Sequence, residues 1–155
     1  MDSLGPVKRI EGIMDCAMYR DILEECLLPF ANNIMVDGWQ FQQDNDSKHT
    51  SHLMMGRRVR LPDGRFVRLP GWFRTHNIKL LKWPSMSPDL NPLENLWQIV
   101  KKKLKGMTYK NKDDLWNDFE NAWNEIPLDI VVSLVKSMPN RINAVIRANG
   151  GHTKY

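Results

Sequence analysis

The chain has 155 residues, a length that suits one domain of ordinary size. Hydrophobic residues make up 42% and charged residues 26%, which excludes a disordered polar tail and allows a real core. The net charge of +4 is compatible with a polyanionic partner but does not demand one.

The pattern at 7–11, stopped by Gly12, predicts a short strand. Residues 14–32 then read as a helix. Met18, Ile22, Leu23, Cys26, Leu27 and Phe30 form one apolar stripe, and Asp15 stands at the N-cap position. The two cysteines, Cys16 and Cys26, fall in this helix and read as buried thiols in a reducing compartment, not as a disulfide or metal site. A second strand is expected at 38–44, with Trp39, Phe41 and Gln43 on one face and Gln40, Gln42 and Asp44 on the other. A polar loop follows, and Thr50 or Ser51 can begin another helix.

Residues 54–72 carry a repeat, Val59-Arg60-Leu61-Pro62 and Val67-Arg68-Leu69-Pro70, with Asp63-Gly64 between the copies. Asp-Gly between short apolar and basic stretches predicts a hairpin or an extended loop. It is rich in arginine (Arg57, Arg58, Arg60, Arg65, Arg68). Two readings stay open, a solvated surface loop or a DNA-contacting protrusion. A third strand is expected at 77–83, closed by Pro84. Asn91 before Pro92 reads as an N-cap with proline at the first helical position, and the helix runs to Gly106. Lys101 and Lys102 lie near its end, where cations favour the helix C-terminus and could also meet DNA. Residues 111–147 read as helices interrupted by Pro127 and Pro139. Trp97, Trp116 and Trp123 sit at helical spacing, either filling the core against the sheet or forming a partner face. The order strand, helix, strand, helix, strand, helices predicts an α/β fold with a C-terminal helical segment. No apolar run reaches the about 18 to 20 residues that span a bilayer, and no signal-peptide pattern opens the chain, so a soluble intracellular protein without a membrane partner is expected.

Two acids stand out by context. Asp44 ends a strand, and Glu94 lies in the first turn of a helix that follows another strand. Strand ends and helix starts at one sheet edge are where α/β folds build their sites. Carboxylates there can hold hard divalent cations, which in pairs activate water and stabilise a leaving oxygen in phosphodiester chemistry. An acid at a helix start is also an ordinary partner of the helix dipole.

The words around these acids say more. Gln42-Gln43-Asp44-Asn45-Asp46-Ser47-Lys48-His49-Thr50-Ser51 closely resembles the segment around the second catalytic aspartate of mariner-superfamily transposases. Trp83-Pro84-Ser85-Met86-Ser87-Pro88-Asp89-Leu90-Asn91-Pro92-Leu93-Glu94-Asn95-Leu96-Trp97 resembles the segment around their third catalytic acid. The resemblance extends to Gly5-Pro6, Tyr19-Arg20-Asp21-Ile22-Leu23 and the closing Gly150-Gly151-His152-Thr153-Lys154-Tyr155.

It implies a ribonuclease H-like fold with its first strands missing and a DDE site in which acids bind Mg²⁺ or Mn²⁺. The implied reaction cuts transposon ends and joins them to target DNA, in the nucleus and through a homo-oligomer on DNA. Asp44 is then the second acid and metal ligand, and Glu94 the third. His49 and Asn45 line the site, and Asp89, Asn91 and Pro92 shape the turn before Glu94.

Two departures accompany it. Forty-nine residues lie between Asp44 and Glu94 where the family has 34, an excess of 15 that places an atypical basic insert within 54–72 of one partial catalytic domain. No equivalent of the family's first aspartate precedes Gly5. Asp2 is the only acid there and has no matching context, so the chain as written is expected to be inactive, the alternatives being a nucleic-acid-binding remnant or an inert fragment.

Overall fold

In the computed structural model, which describes residues 4–149 and 151–155, Asp15 caps the first helix as its position predicts: its Oδ1 accepts the Met18 N–H at 2.8 Å. Asp2 and Gly150 lie outside the described residues. The chain forms two compact units, Lys8–Ser85 and a second made of Met1–Val7 with Met86–Tyr155.

In the first unit the expected helix forms in three parts: α1 (Cys16–Ile22), a π-helical turn (Leu23–Leu27) and α2 (Leu28–Ile34). Pro29 explains the widening. It has no N–H, and its ring collides with the carbonyl four residues back, so the ladder opens ahead of it. Leu28 N–H bonds Leu23 O, one residue further back than in an α-helix. The inward stripe runs through Tyr19, Leu23 and Ala31, with the expected Met18, Ile22, Cys26 and Phe30 half-buried beside it. Both cysteines are free and only half-buried, which corrects the expectation of buried thiols.

Strand β1 (Gln40–Phe41) pairs in parallel with β4 (Lys79–Leu80), in the register Gln40 to Lys79 and Phe41 to Leu80. Both are shorter than expected, and no strand forms at 7–11, because no neighbour among the described residues continues the ladder. Between them lie α3 (His52–Met55, capped by Ser51), the antiparallel hairpin β2 (Gly56–Arg60) and β3 (Phe66–Pro70), and α4 (Trp72–Thr75). The hairpin closes through a Gly64 N–H to Leu61 O bond of 2.9 Å, and Gly64 takes φ +85°, the left-handed turn that glycine adopts at least cost. The hairpin base is equally constrained. A side chain on Gly56 or Gly71 would collide with the backbone of the other, so the two chain ends meet where only glycine fits. Below that base, fully buried Met54 packs with Tyr19, Leu23, Trp72 and Phe73, and Phe41, Ile78 and Leu80 cover the cluster. Burying each of these large side chains stabilises the unit by about 1.5–3 kcal/mol.

The second unit is helical. A 3₁₀ turn (Pro88–Leu90) leads into α5 (Leu93–Leu104), then α6 (Lys112–Asn124), α7 (Leu128–Lys136) and α8 (Met138–Arg147). Asn111 caps α6 by accepting the Asp113 and Asp114 N–H groups, each at 2.8 Å. Pro127 has extended backbone and stops the chain before α7, and Pro139 sits in the first turn of α8, where its missing N–H costs nothing. Leu96, Val100, Ala122, Trp123, Ile126 and Val131 form the core. Trp97 lies 5.1 Å from Trp123 and 5.8 Å from Phe119 between ring centroids, and Trp116 lies 5.4 Å from Phe119. Trp97 thus packs α5 on α6, whereas Trp116 stacks on Phe119 within α6 itself. The expectation that they pack against the sheet is corrected, since this unit has no strand among its described residues. No helix of the described residues is long and apolar enough to cross a membrane.

Candidate active site

Asp44 follows β1 and opens a tight polar loop. Its side chain is 69% exposed, yet one oxygen is fixed. Oδ1 lies 2.6 Å from His49 Nδ1 and accepts the Asp46 N–H at 3.1 Å, and no side-chain bond engages Oδ2 among the described residues. A carboxylate held by one oxygen and open at the other is oriented without being consumed.

The loop 44–50 is built from its own polar residues. Asp46 Oδ1 accepts the Lys48 N–H at 2.8 Å and its Oδ2 the Lys48 ammonium at 2.9 Å. The Lys48 backbone N–H first, then the Lys48 side chain, hold the Asp46 carboxyl below its ordinary range. Thr50 N–H and Oγ1–H both donate to Asp46 O.

His49 is itself held. Its ring lies 4.1 Å from the ring of buried Tyr19, whose hydroxyl donates to Gln43 Oε1 at 2.7 Å, and Gln43 Nε2 reaches back to His49 O at 3.4 Å. Burial, reinforced by the Asp44 charge, pushes the Tyr19 phenol well above its usual range, so it stays neutral. Asn45 bonds residues across a hollow. Its Nδ2 donates to Trp83 O at 3.3 Å and Ser85 Oγ at 3.2 Å, tying the loop to the segment after β4. The hollow, of about 260 Å³, is lined by Asp44, Asn45, Thr50, Leu81, Lys82 and Trp83, among others.

Glu94 lies in the second unit, in the first turn of α5. It is exposed and makes no side-chain hydrogen bond or ion pair among the described residues. Its backbone is anchored from both sides. Asn91 Oδ1 accepts the Leu93 N–H at 3.2 Å; α5 begins at Leu93 with Pro92 at the N-cap, one position later than the sequence predicts. Arg141, on α8 and 2% exposed, donates Nη1 to Asp89 O at 2.9 Å and Nη2 to Asn95 Oδ1 at 2.6 Å, and so clamps the chain on either side of Glu94. Its Nε donates to Ser137 Oγ at 2.8 Å, and its guanidinium lies 4.7 Å from the Tyr155 ring. Asp89 Oδ2 accepts from Thr153 at 3.1 Å, so the expected turn residue also fastens the C-terminal tail.

Arg141, Thr153 and Tyr155 are absent from the sequence expectations for the site. The available signal is that Arg141 occupies an inward position of α8, with Met138, Ala144, Val145 and Ala148 on the same half-buried side. A cation there needs acceptors, which Asp89, Asn95 and Ser137 supply.

Of the basic residues, Arg57, Arg58, Arg60 and Arg68 lie on the hairpin strands with no ion pair among the described residues, and Arg65 is bound to Asp63 Oδ2 at 2.7 Å. Lys101 and Lys102 are exposed in the last turn of α5.

The oxygen donors at Asp44 and Glu94 suit a hard divalent cation. No group of three or more His, Cys, Asp or Glu side chains converges on one point among the described residues.

Residues 17–116 match the DDE superfamily endonuclease family. The chain is 43% identical over 153 residues to the Tcb1 transposable-element transposase of Caenorhabditis briggsae and 42% identical over 153 residues to the Tc1 transposase of Caenorhabditis elegans; each alignment covers 99% of this chain and 50% of the relative. The Tc3 transposase of Caenorhabditis elegans is 30% identical over 151 residues, 96% of this chain and 41% of that protein. The chain thus spans about half the length of the curated relatives it matches. The family match takes in both Asp44 and Glu94 and well over half of the 155 residues, and this chain belongs to the DDE superfamily of endonucleases.

Proposed function

We propose that this chain is the second- and third-acid part of a Tc1/mariner-type transposase catalytic domain, built on a ribonuclease H-like core and acting on DNA in the nucleus. The observation that carries the reading is the Asp44 carboxylate, in the loop three residues beyond the two-residue parallel strand β1 and not at the strand end the sequence predicts, with one oxygen fixed by His49 and Asp46 and no side-chain bond to the other among the described residues. Asp44 and Glu94 are the proposed metal ligands, and Mg²⁺ or Mn²⁺ is the proposed ion. When bound, such ions activate the attacking oxygen and stabilise the leaving one.

The chain's own residues do the positioning. His49 and the Asp46 N–H set the direction of the Asp44 carboxylate, and the Tyr19 ring keeps the His49 imidazole in place. Asn91 and Arg141 fix the backbone that presents Glu94. Cutting DNA and joining the 3′-OH need the family's full set of three acids, so activity is proposed for a polypeptide that carries all three, as a homo-oligomer on DNA. Residues 1–155 are proposed as part of one catalytic domain with an atypical basic insert at about 54–72, the stretch that holds the hairpin strands Gly56–Arg60 and Phe66–Pro70.

Calorimetric titration of the chain with Mn²⁺ and Mg²⁺ tests the reading. Binding is expected in the parent and lost in the Asp44→Ala, Glu94→Ala variant. A parent that is folded by circular dichroism and binds neither ion would refute the metal assignment.

A further inference from the structure

The hairpin has two unlike faces. The register sets Arg58 opposite Arg68 and Arg60 opposite Phe66, so three guanidiniums and one aromatic ring share a face. Arg57, Val59, Val67 and Leu69 take the other. Like charges directly opposite each other destabilise a two-stranded ribbon, and no carboxylate among the described residues pairs with Arg58, Arg60 or Arg68. The only acid in the hairpin, Asp63, is taken by Arg65.

Phe66 orders this face. Arg58 Cζ lies 4.2 Å and Arg60 Cζ 6.0 Å from the centre of the half-exposed ring, where cation–π attraction holds a guanidinium while its N–H groups stay open to solvent. The Gly56–Gly71 contact fixes the ribbon at its base. The result is a row of oriented, unpaired forks of the kind that bind phosphate in bidentate fashion.

We propose that the face carrying Arg58, Arg60 and Arg68 docks on the phosphate backbone of duplex DNA. The identity of the polyanion rests on the transposase reading; the charge, the register and the ordering ring stand without it. Contact is to phosphate, so the face contributes affinity and register on the duplex, not sequence choice.

The test is fluorescence anisotropy of a labelled mixed-sequence DNA duplex titrated with the 155-residue chain over a series of salt concentrations. Affinity of the parent should fall with salt. The variant Arg58→Gln, Arg60→Gln, Arg68→Gln should flatten the log–log slope by about 2 to 3, because about 0.9 is lost per released phosphate contact. Arg57→Gln, Arg65→Gln should change it by less than about 1. Lysine at positions 58, 60 and 68 should restore most of the slope.

An unchanged slope in the folded triple variant overturns the assignment, as does an equal loss in the Arg57, Arg65 control. A parent without salt-dependent binding to duplex DNA, or one that binds duplex RNA alone, overturns it too. Metal binding through Asp44 and Glu94 is read separately, so any of these results leaves the transposase proposal standing.

Discussion

The two acids are held in opposite ways. Asp44 sits in a short loop and is steered through its own side chain, by His49 Nδ1 and the Asp46 N–H. The Glu94 side chain makes no hydrogen bond or ion pair among the described residues, and what is fixed is its backbone: Asn91 accepts the Leu93 N–H, and Arg141 clamps Asp89 and Asn95 on either side. The difference follows from local structure. A loop after a two-residue strand has few neighbours to define it, so polar contacts must orient the carboxylate directly. The first turn of a twelve-residue helix is already rigid, so it is enough to place the turn.

The comparison breaks most visibly at Arg141. Arg141→Ala removes three hydrogen bonds and leaves the half-buried acceptors on Asp89, Asn95 and Ser137 without this donor. The expected loss is about 2–4 kcal/mol, read as a lower urea midpoint. Arg141→Met restores the packing but not the donors and should recover only part of the loss. Full recovery by methionine would show that Arg141 acts by filling space, and the clamp on the Glu94 segment would then be ornamental.

On the Asp44 side the same kind of deletion should cost little stability and much function. His49→Ala removes one of the two contacts on Asp44 Oδ1 in an exposed loop, and unfolding free energy should move by no more than about 1 kcal/mol. Under the metal proposal, affinity for Mn²⁺ should fall about 10- to 100-fold, the usual cost of losing a group that orients a ligand. A calorimetric affinity equal to the parent's would place His49 outside the site.

The smallest effect expected is a pH dependence of the loop 44–50. Asp46 is held below its ordinary carboxylate range by the Lys48 backbone N–H and side chain. Its folded value is depressed. Its contribution is therefore complete above the unfolded value of about 3.9 and is lost as pH falls through the lower, folded value. The Lys48 amide resonance in NMR should hold steady from neutrality to about pH 5 and move only in the more acidic range. A transition near pH 6 would mean that a different group controls the loop.

The hairpin illustrates what local sequence determines. Asp63-Gly64 between two Val-Arg-Leu-Pro copies predicts the turn, and the register pairs Val59 with Val67, the first residue of each copy. The residue before a helix was equally legible. Asp15 caps α1 where its position predicts, and Ser51, one of the two residues open to a helix start there, caps α3, because capping uses atoms a few bonds away. The two acids are proposed on another ground: their flanking motifs resemble a family, which points to positions without describing their surroundings.

Tertiary structure decided what depends on residues far apart in the chain. The strands at 38–44 and 77–83 have good strand patterns, yet only two residues of each join a ladder, since strand length is set by the neighbour and not by the strand alone. The π turn ahead of Pro29 depends on how the helix relieves one clash. Tyr19 beneath His49 and Arg141 beneath the Glu94 segment act across 30 and 47 positions (49 − 19 and 141 − 94), and no local periodicity encodes such a pairing. The sequence by itself determined the cap at Asp15 and the turn at Asp63-Gly64, because these are short-range chemistry. What holds each acid in place emerged only from packing, where a buried polar group must find its partner wherever the chain brings one.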